Sequence, residues 1–181
     1  MPREDPDLEL VEASGRGDHE AFESLVKRYQ GPLLNFITRF GVHYQAEDIA
    51  QEVFLRIYRA ASRFQAKAKV STWIFQIAYN QALTEIKRRK RQRNLKETLH
   101  QNREESAEGH LSGAIESYQL EEEIMALLGR LPDNQRAALL LRVNEGLSYR
   151  EIGAILGVSI QSVESLLFRA RTSLKRYLVR K

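Results

Sequence analysis

Cysteine is absent from the 181 residues, which removes disulfides, thiolate metal ligands and thiol nucleophiles and leaves a reducing cytosol allowed. The four histidines, at 19, 43, 100 and 110, fall at no ligand-like spacing and read as surface residues, so no metal is expected. No run of about 18 apolar residues occurs, and the basic, apolar, small-residue order of a signal peptide is missing from the start. The expectation is a cytoplasmic protein without membrane insertion. Strand-like alternation of apolar and polar residues is not sustained anywhere, which argues against a sheet. Catalytic groups are also short: Asp48 and Glu52 lie one helical turn apart, but no third acidic or histidine ligand is placed to close a metal site. No catalytic residue, cofactor or small-molecule substrate is therefore expected, and the protein reads as a non-enzyme.

What is present is helix-forming pattern almost throughout, with 43% hydrophobic and 29% charged residues, suited to one or two small domains. The net charge of +4 is unevenly spread. Lys and Arg against Asp and Glu number 16 and 12 over residues 1–93, 2 and 5 over 94–116, and 10 and 7 over 117–181. Two basic ends flank an acidic middle, as expected for two nucleic-acid-facing domains joined by a linker.

The sharpest local signal is Leu147 to Arg171, LSYREIGAILGVSIQSVESLLFRAR. Ser148 followed by Glu151 is a capping box that starts a short helix. Tyr149, Ile152, Ile155 and Leu156 give that helix an apolar face, and Gly157 allows the left-handed turn that ends it. Ser159 can cap a second helix whose apolar positions are Val163, Leu166, Leu167, Ala170 and Leu174. Gly153 lets the two helices cross closely, with Val158 and Val163 filling the angle. The pattern is a helix-turn-helix. Its outer face carries Gln161, Ser162, Glu164, Ser165, Phe168, Arg169 and Thr172, short or polar enough to reach base edges in a major groove. The bland alternative is the solvated face of an ordinary helical hairpin.

Upstream, short helix Leu8–Ala13 precedes a longer one from Glu20 to about Phe40, capped by Asp18 and expected to break or kink at Pro32, near Gln30. A third helix spans Ala46–Ala60, with Asp48, Gln51, Glu52, Arg56 and Arg59 on its polar face. After a loop from Ser62 to Val70, Ser71 can cap a fourth helix running to about Arg93. Its buried stripe is Ile74, Ile77, Ala78, Ala82 and Ile86; Thr72, Phe75, Gln76, Tyr79, Asn80, Leu83 and Lys87 lie away from it. Phe75 and Tyr79, near Lys67, Lys69 and the basic run 87–93, would supply π faces for unstacked bases and cations for phosphates. The alternatives are that these aromatics, and Trp73, are extra core, and that the basic run complements the carbonyl end of its helix. Residues 94–116 read as a flexible tether. A second helical unit follows: Leu120–Leu128, then Gln135–Asn144 after Leu131-Pro132-Asp133, then Gly146.

With these segments in hand, AEDIAQEVFLRIYRA (46–60), FQAKAKVSTWIFQIAYNQAL (64–83), LPDNQRAALLLRVNEGLSYREIGAILGVS (131–159) and SVESLLFRARTSL (162–174) resemble, in order, the signature segments of the extracytoplasmic-function, or group IV, sigma factors of bacterial RNA polymerase. The resemblance implies an all-α chain of two small helical domains joined by a flexible linker, with the helix-turn-helix in the C-terminal one. Residues 1–93 would form sigma region 2, binding core polymerase and the minus-ten element. Residues 94–116 would form the linker, and 117–181 region 4, binding the minus-35 element.

Carried over by position, Asp48, Gln51, Glu52, Phe54 and Arg56 would dock on core polymerase. The loop Gln65 to Lys69, with Gln65, Ala66, Lys67 and Lys69, and Asn80 fall where the family reads a flipped minus-ten base, and Trp73, Phe75, Tyr79 and Lys87 would join them in binding that element as single strand from the aromatic and basic face described above. Ser165, Phe168, Arg169 and Arg171 fall where the family reads the minus-35 duplex, and Arg150, Ser159, Gln161, Ser162 and Glu164 of the helix-turn-helix would join them. The chain departs from many members at Glu164 and Leu166, where basic residues are usual, and at Ala66, Lys67 and Ala68, where an acidic residue is usual. The implied partners are core RNA polymerase, promoter DNA and an anti-sigma factor. Against this stand a free-standing helix-turn-helix regulator, which would need no polymerase, and the enzyme reading above.

Overall fold

The structure, a computed structural model, describes residues 5–99 and 115–179. Among these residues it holds eight α-helices and one 3-10 turn and no strand. In chain order they are α1 (Leu8–Gly15), α2 (His19–Phe40), α3 (Ala46–Ala60), the turn Ala61–Arg63, α4 (Val70–Leu99), α5 (Ile115–Gly129), α6 (Asp133–Val143), α7 (Tyr149–Leu156) and α8 (Ile160–Val179). No single helix among the described residues is long and apolar enough to cross a membrane.

Asp18 caps α2 by accepting the N–H groups of Glu20 (3.0 Å) and Ala21 (3.1 Å). Pro32 does not break that helix, which continues through it for 22 residues. Tyr29, Leu33, Phe36 and Ile37 lie on both sides of Pro32 along one buried face. Their packing outweighs the one hydrogen bond that proline removes. The fourth helix also differs from expectation: it starts one residue before Ser71 and reaches Leu99, so the first residues of the expected linker are helical, as are its last two. The middle of that linker, 100–114, lies outside the described residues.

One continuous core joins the two halves. Leu25, Phe36, Phe40, Ile57 and Ile74 fill the N-terminal part, and Leu141, Ile152, Val163 and Leu167 the C-terminal part. α4 lies between them, packed on α2 and α3 and, on another side, on α7. This placement explains why its outer aromatics are not outside. Phe75 is 2% exposed and packs edge-on against Phe36, with ring centres 5.7 Å apart; Tyr79 is 5% exposed against Phe40. A helix covered on several sides has no single solvent stripe, so a two-face reading of its sequence assigns the second buried face to solvent.

Arg136 is the polar centre of the contact between the halves. The residue is 8% exposed, and its guanidinium donates to four carbonyls: Leu128 (2.7 Å), Phe40 (2.8 Å), Gly129 (3.0 Å) and Leu131 (3.0 Å). Phe40 ends α2, where the carbonyls have no partner in their own helix, and a cation there also meets the negative end of the helix dipole. Gly41 makes room: it has φ +115°, and a Cβ on it would stand 2.8 Å from Arg136 Nη1. Around this centre Tyr79 Oη bonds Asn134 Oδ1 (2.8 Å), Lys90 pairs with Asp133 (3.1 Å), Lys69 with Glu151 (2.8 Å), and Gln76 donates to the Ala154 carbonyl (3.1 Å).

Candidate nucleic-acid and polymerase interfaces

The helix-turn-helix is built as its residues dictate. Ser148 Oγ accepts the Glu151 N–H (3.3 Å) while Glu151 Oε2 accepts the Ser148 N–H (2.7 Å), completing the capping box. Gly157 closes α7 at φ +68°, and Ser159 Oγ caps α8 by accepting the Ser162 N–H (3.1 Å). The two helices meet at 96°. A Cβ on Gly153 would lie 2.8 Å from the Val158 carbonyl oxygen and 3.7 Å from Val163 Cγ2, so only glycine permits this crossing. Arg142 braces the start of α7 from α6, donating to the Leu147 carbonyl (2.9 Å) and lying 5.4 Å from the Tyr149 ring centre.

The outer face of α8 leaves Gln161, Ser162, Glu164, Ser165, Phe168, Arg169 and Arg171 exposed together, with Arg150 and Ser159 exposed nearby. Phe168 is 69% exposed, a large apolar ring that its own fold does not bury. Ser165 donates its hydroxyl proton to the Gln161 carbonyl (3.0 Å), so toward a base it presents an acceptor. The face offers a guanidinium for paired acceptors, an amide for mixed edges and a ring for a thymine methyl.

In the N-terminal half, Trp73 forms a ridge between two open depressions. One, of about 530 Å³, is lined by Glu52, Arg56, Arg59, Arg63, Asn80 and Gln81 among others. The other, of about 280 Å³, is lined by Arg63, Phe64, Gln65, Lys67, Gln76 and Ala154 among others. Trp73 is half-buried and rests on Phe64, ring centres 4.7 Å apart. Gln65, Ala66, Lys67 and Lys69 are exposed in the loop beside it, as are Asn80 and Lys87 on α4. An indole, an amide and several arginines around an open groove can stack a base, bond its edge and neutralise phosphates. Phe75 and Tyr79, expected to form that platform, are sealed under α2 and do not face it. Arg56 faces the groove as well as the polar side of α3, where it pairs with Glu52 (2.9 Å). Arg59 and Arg63 complete the groove; the expected set omitted both, though their place one and two turns after Arg56 was a usable sign.

On α3, Asp48 and Gln51 are exposed and Glu52 half-buried. Phe54 is half-buried, packed against the core. Leu55, seven residues after Asp48 and so on the same side, is 48% exposed in the middle of this polar face. Composition-based reading passed over it, although an exposed leucine ringed by polar groups is a mark of an interface core.

Residues 25–92 match the family "Sigma-70 region 2" and residues 121–174 match "Sigma-70, region 4". The chain is 36% identical to the RNA polymerase sigma-H factor of Pseudomonas aeruginosa, over 98% of its own length and 96% of that protein's. It is 33% identical to the ECF RNA polymerase sigma-E factor of Escherichia coli K12, over 93% and 92% respectively. Among solved structures it resembles CnrH in complex with the cytosolic domain of CnrY (TM-score 0.73, 25% identity, 97% of this chain and 98% of that one). It shares its fold with the Bartonella quintana sigma factor RpoE in complex with the anti-sigma factor NepR (TM-score 0.69, 22% identity, 87% and 96%). With both regions matched in order and relatives aligned over nearly its whole length, the chain belongs to the sigma-70 family of RNA polymerase sigma factors, in the extracytoplasmic-function group.

Proposed function

We propose that this sigma factor, which directs core RNA polymerase to promoters, divides the work among three surfaces. Asp48, Gln51, Glu52 and Leu55 on α3 dock on core polymerase. The loop Gln65–Lys69, Trp73, Asn80 and the arginines of the adjoining groove take a flipped base and the backbone of the minus-ten strand. Gln161, Ser165, Phe168 and Arg169 read the minus-35 duplex. The chain acts as a specificity subunit and carries out no chemistry itself. An anti-sigma factor is its regulator.

The observation that carries this reading is one chain presenting an exposed recognition helix and, separately, an arginine-rich groove around an indole and an amide. A free-standing repressor needs only the first. The two elements, about 25 base pairs apart, are separated by roughly 85 Å of duplex at 3.4 Å per step. A compact body of this length has a radius of gyration of only about 16 Å. Lys69 and Glu151, bonded in the closed arrangement, must therefore part when both elements are engaged.

Run-off transcription with purified core polymerase tests the assignment. Asp48→Arg with Gln51→Ala should abolish recovery with core polymerase while leaving the circular-dichroism melt in place, since changes to exposed side chains cost little in folding and a reversed charge costs much at a complementary interface. Asn80→Ala should reduce initiation from duplex promoter more than from a template already mismatched over the melted region, because capture of the base helps drive opening. Equal losses on both templates would count against base capture.

A further inference from the structure

The region 2 match begins at residue 25, leaving α1 and the residues before it without an assigned role. We propose that this N-terminal segment is a splint that positions the loop Phe64–Lys69, with Asp5 as the positioning residue; the inference rests on the reading of that loop as the base-capturing element.

The loop joins the turn Ala61–Arg63 to α4 and has no local means of fixing its far end. Lys69 precedes the helix and offers no side-chain acceptor, while Ser71 is already inside it. The cap comes instead from 65 residues upstream: Asp5 Oδ2 accepts the Val70 N–H at 2.6 Å. Its other oxygen accepts the Asp7 N–H at 3.1 Å, so the carboxylate is oriented by its own chain. Asp7, 6% exposed, accepts the Tyr29 hydroxyl (2.5 Å) and pairs with Arg28, which fixes the segment to α2. The near end of the loop meets the other end of α1. A Cβ on Gly15 would stand 2.9 Å from the backbone of Ala61 and Ser62, so α1 touches the turn with no side chain between. The segment from Asp5 to Gly15, most of it an eight-residue helix about 12 Å long, thus braces both ends of the loop.

Between those anchors, residues 65–69 are all exposed. Ends fixed and tip free is the arrangement that lowers the ordering cost of capturing a base, because the backbone flanking the contact is already in place. The cap in trans also leaves Val70 fully buried at the root of α4, one turn from Trp73.

Trp73 is the sole tryptophan, and its ring rests on Phe64 of the loop, so its fluorescence in the free full-length chain reports the loop's packing. Asp5→Ala, Asp5→Asn and Gly15→Val should be compared with wild type. Asp5→Ala should raise acrylamide quenching of Trp73 and, in holoenzyme, slow open-complex formation on duplex promoter roughly five- to tenfold, the loss of one helix cap expressed as a rate. The premelted template should be affected less than about twofold, and recovery with core polymerase not at all. Asp5→Asn keeps one acceptor for the Val70 N–H but loses the one that receives the Asp7 N–H, so it should restore both readouts only in part; Gly15→Val pushes on the turn and should reproduce the alanine defect without touching the cap. Unchanged quenching and opening in Asp5→Ala would overturn the proposal. So would equal losses on both templates with weakened core recovery. If Asn80→Ala leaves minus-ten base preference unaltered while Asp5→Ala still unseats Trp73, base capture fails and the splint stands.

Discussion

On α8 the residues that fix the reading face are all close in sequence: Ser148, Gly153, Gly157 and Ser159 set the helix-turn-helix, and Gln161, Ser165, Phe168 and Arg169 then stand clear of the rest of the molecule. The loop Gln65–Lys69 is fixed from a distance, by Asp5 and Gly15 on one side and by Glu151 across the contact between halves. The first surface is preformed and open in the closed arrangement. The second is braced by distant chain and partly engaged by the other half. On the proposed assignment, the face that would read duplex is open while the loop that would take the single strand is still engaged, which suits an order in which duplex DNA is met first and strand capture follows opening.

The largest effect should come from breaking what joins the halves. Arg136→Met leaves the carbonyls of Phe40, Leu128, Gly129 and Leu131 without their donor and should cost about 3 kcal/mol, since a buried group that loses a charged partner forfeits more than one neutral hydrogen bond. Urea unfolding gives the loss, and energy transfer between labels on the two halves should fall in the same variant. A variant that unfolds like wild type would show that the apolar core alone holds the halves together.

Next in size, Arg169→Ala should cost about 1–3 kcal/mol on the cognate minus-35 element, relax preference at one base pair, and leave minus-ten recognition as it was. Arg176→Ala, beyond the part of α8 that fits the groove, should weaken all sequences alike and lower the salt slope by about 1. A base-by-base substitution series separates the two. An unaltered preference profile in Arg169→Ala would remove the sharp contrast between the surfaces.

Smaller again is the ion pair that engages the loop. Lys69 is 61% exposed, so Lys69→Met should change closing by no more than about 0.5 kcal/mol and only at low salt. Energy transfer measured against ionic strength checks it. Glu151 is pushed up by burial but held below 4.5 overall by Lys69 and Ser148, so the pair persists at neutral pH.

The smallest expected effect is a pH dependence at the same contact. His43 reaches solvent with part of its ring, yet partial burial, and then the guanidiniums of Arg89 and Arg136, hold its pKa below the ordinary 6.5. The unfolded or opened chain therefore binds the proton more readily than the closed one, so stability is complete above pH 6.5 and declines as pH falls through the lowered folded value. Energy transfer between the halves should drop modestly from pH 7.5 to 5.5 in wild type and not in His43→Gln. The same decline in both would place the titration elsewhere.

Legibility followed sequence distance. The capping box, the glycine turn and the exposed face of α8 were readable because each depends on partners three or four residues away. The α3 face was readable too, save for Leu55, which an apolar-inward rule assigns to the core. Phe75 and Tyr79 were misplaced outward because α4 has more than one covered side, and periodicity finds only the stripe that is apolar throughout.

By itself, the sequence determined the helical class, the two-part organisation, the helix-turn-helix and the resemblance to a family, all properties that arise from local backbone preferences and short-range periodicity. Only the tertiary structure decided that Arg136 ties α2 to α6, that Trp73 rather than Tyr79 stands at the groove, and that Asp5 caps a helix starting at Val70. Those outcomes depend on which buried donor meets which orphaned carbonyl or N–H across tens of residues. Such pairings are fixed by the geometry of packed helices and leave no period in the chain.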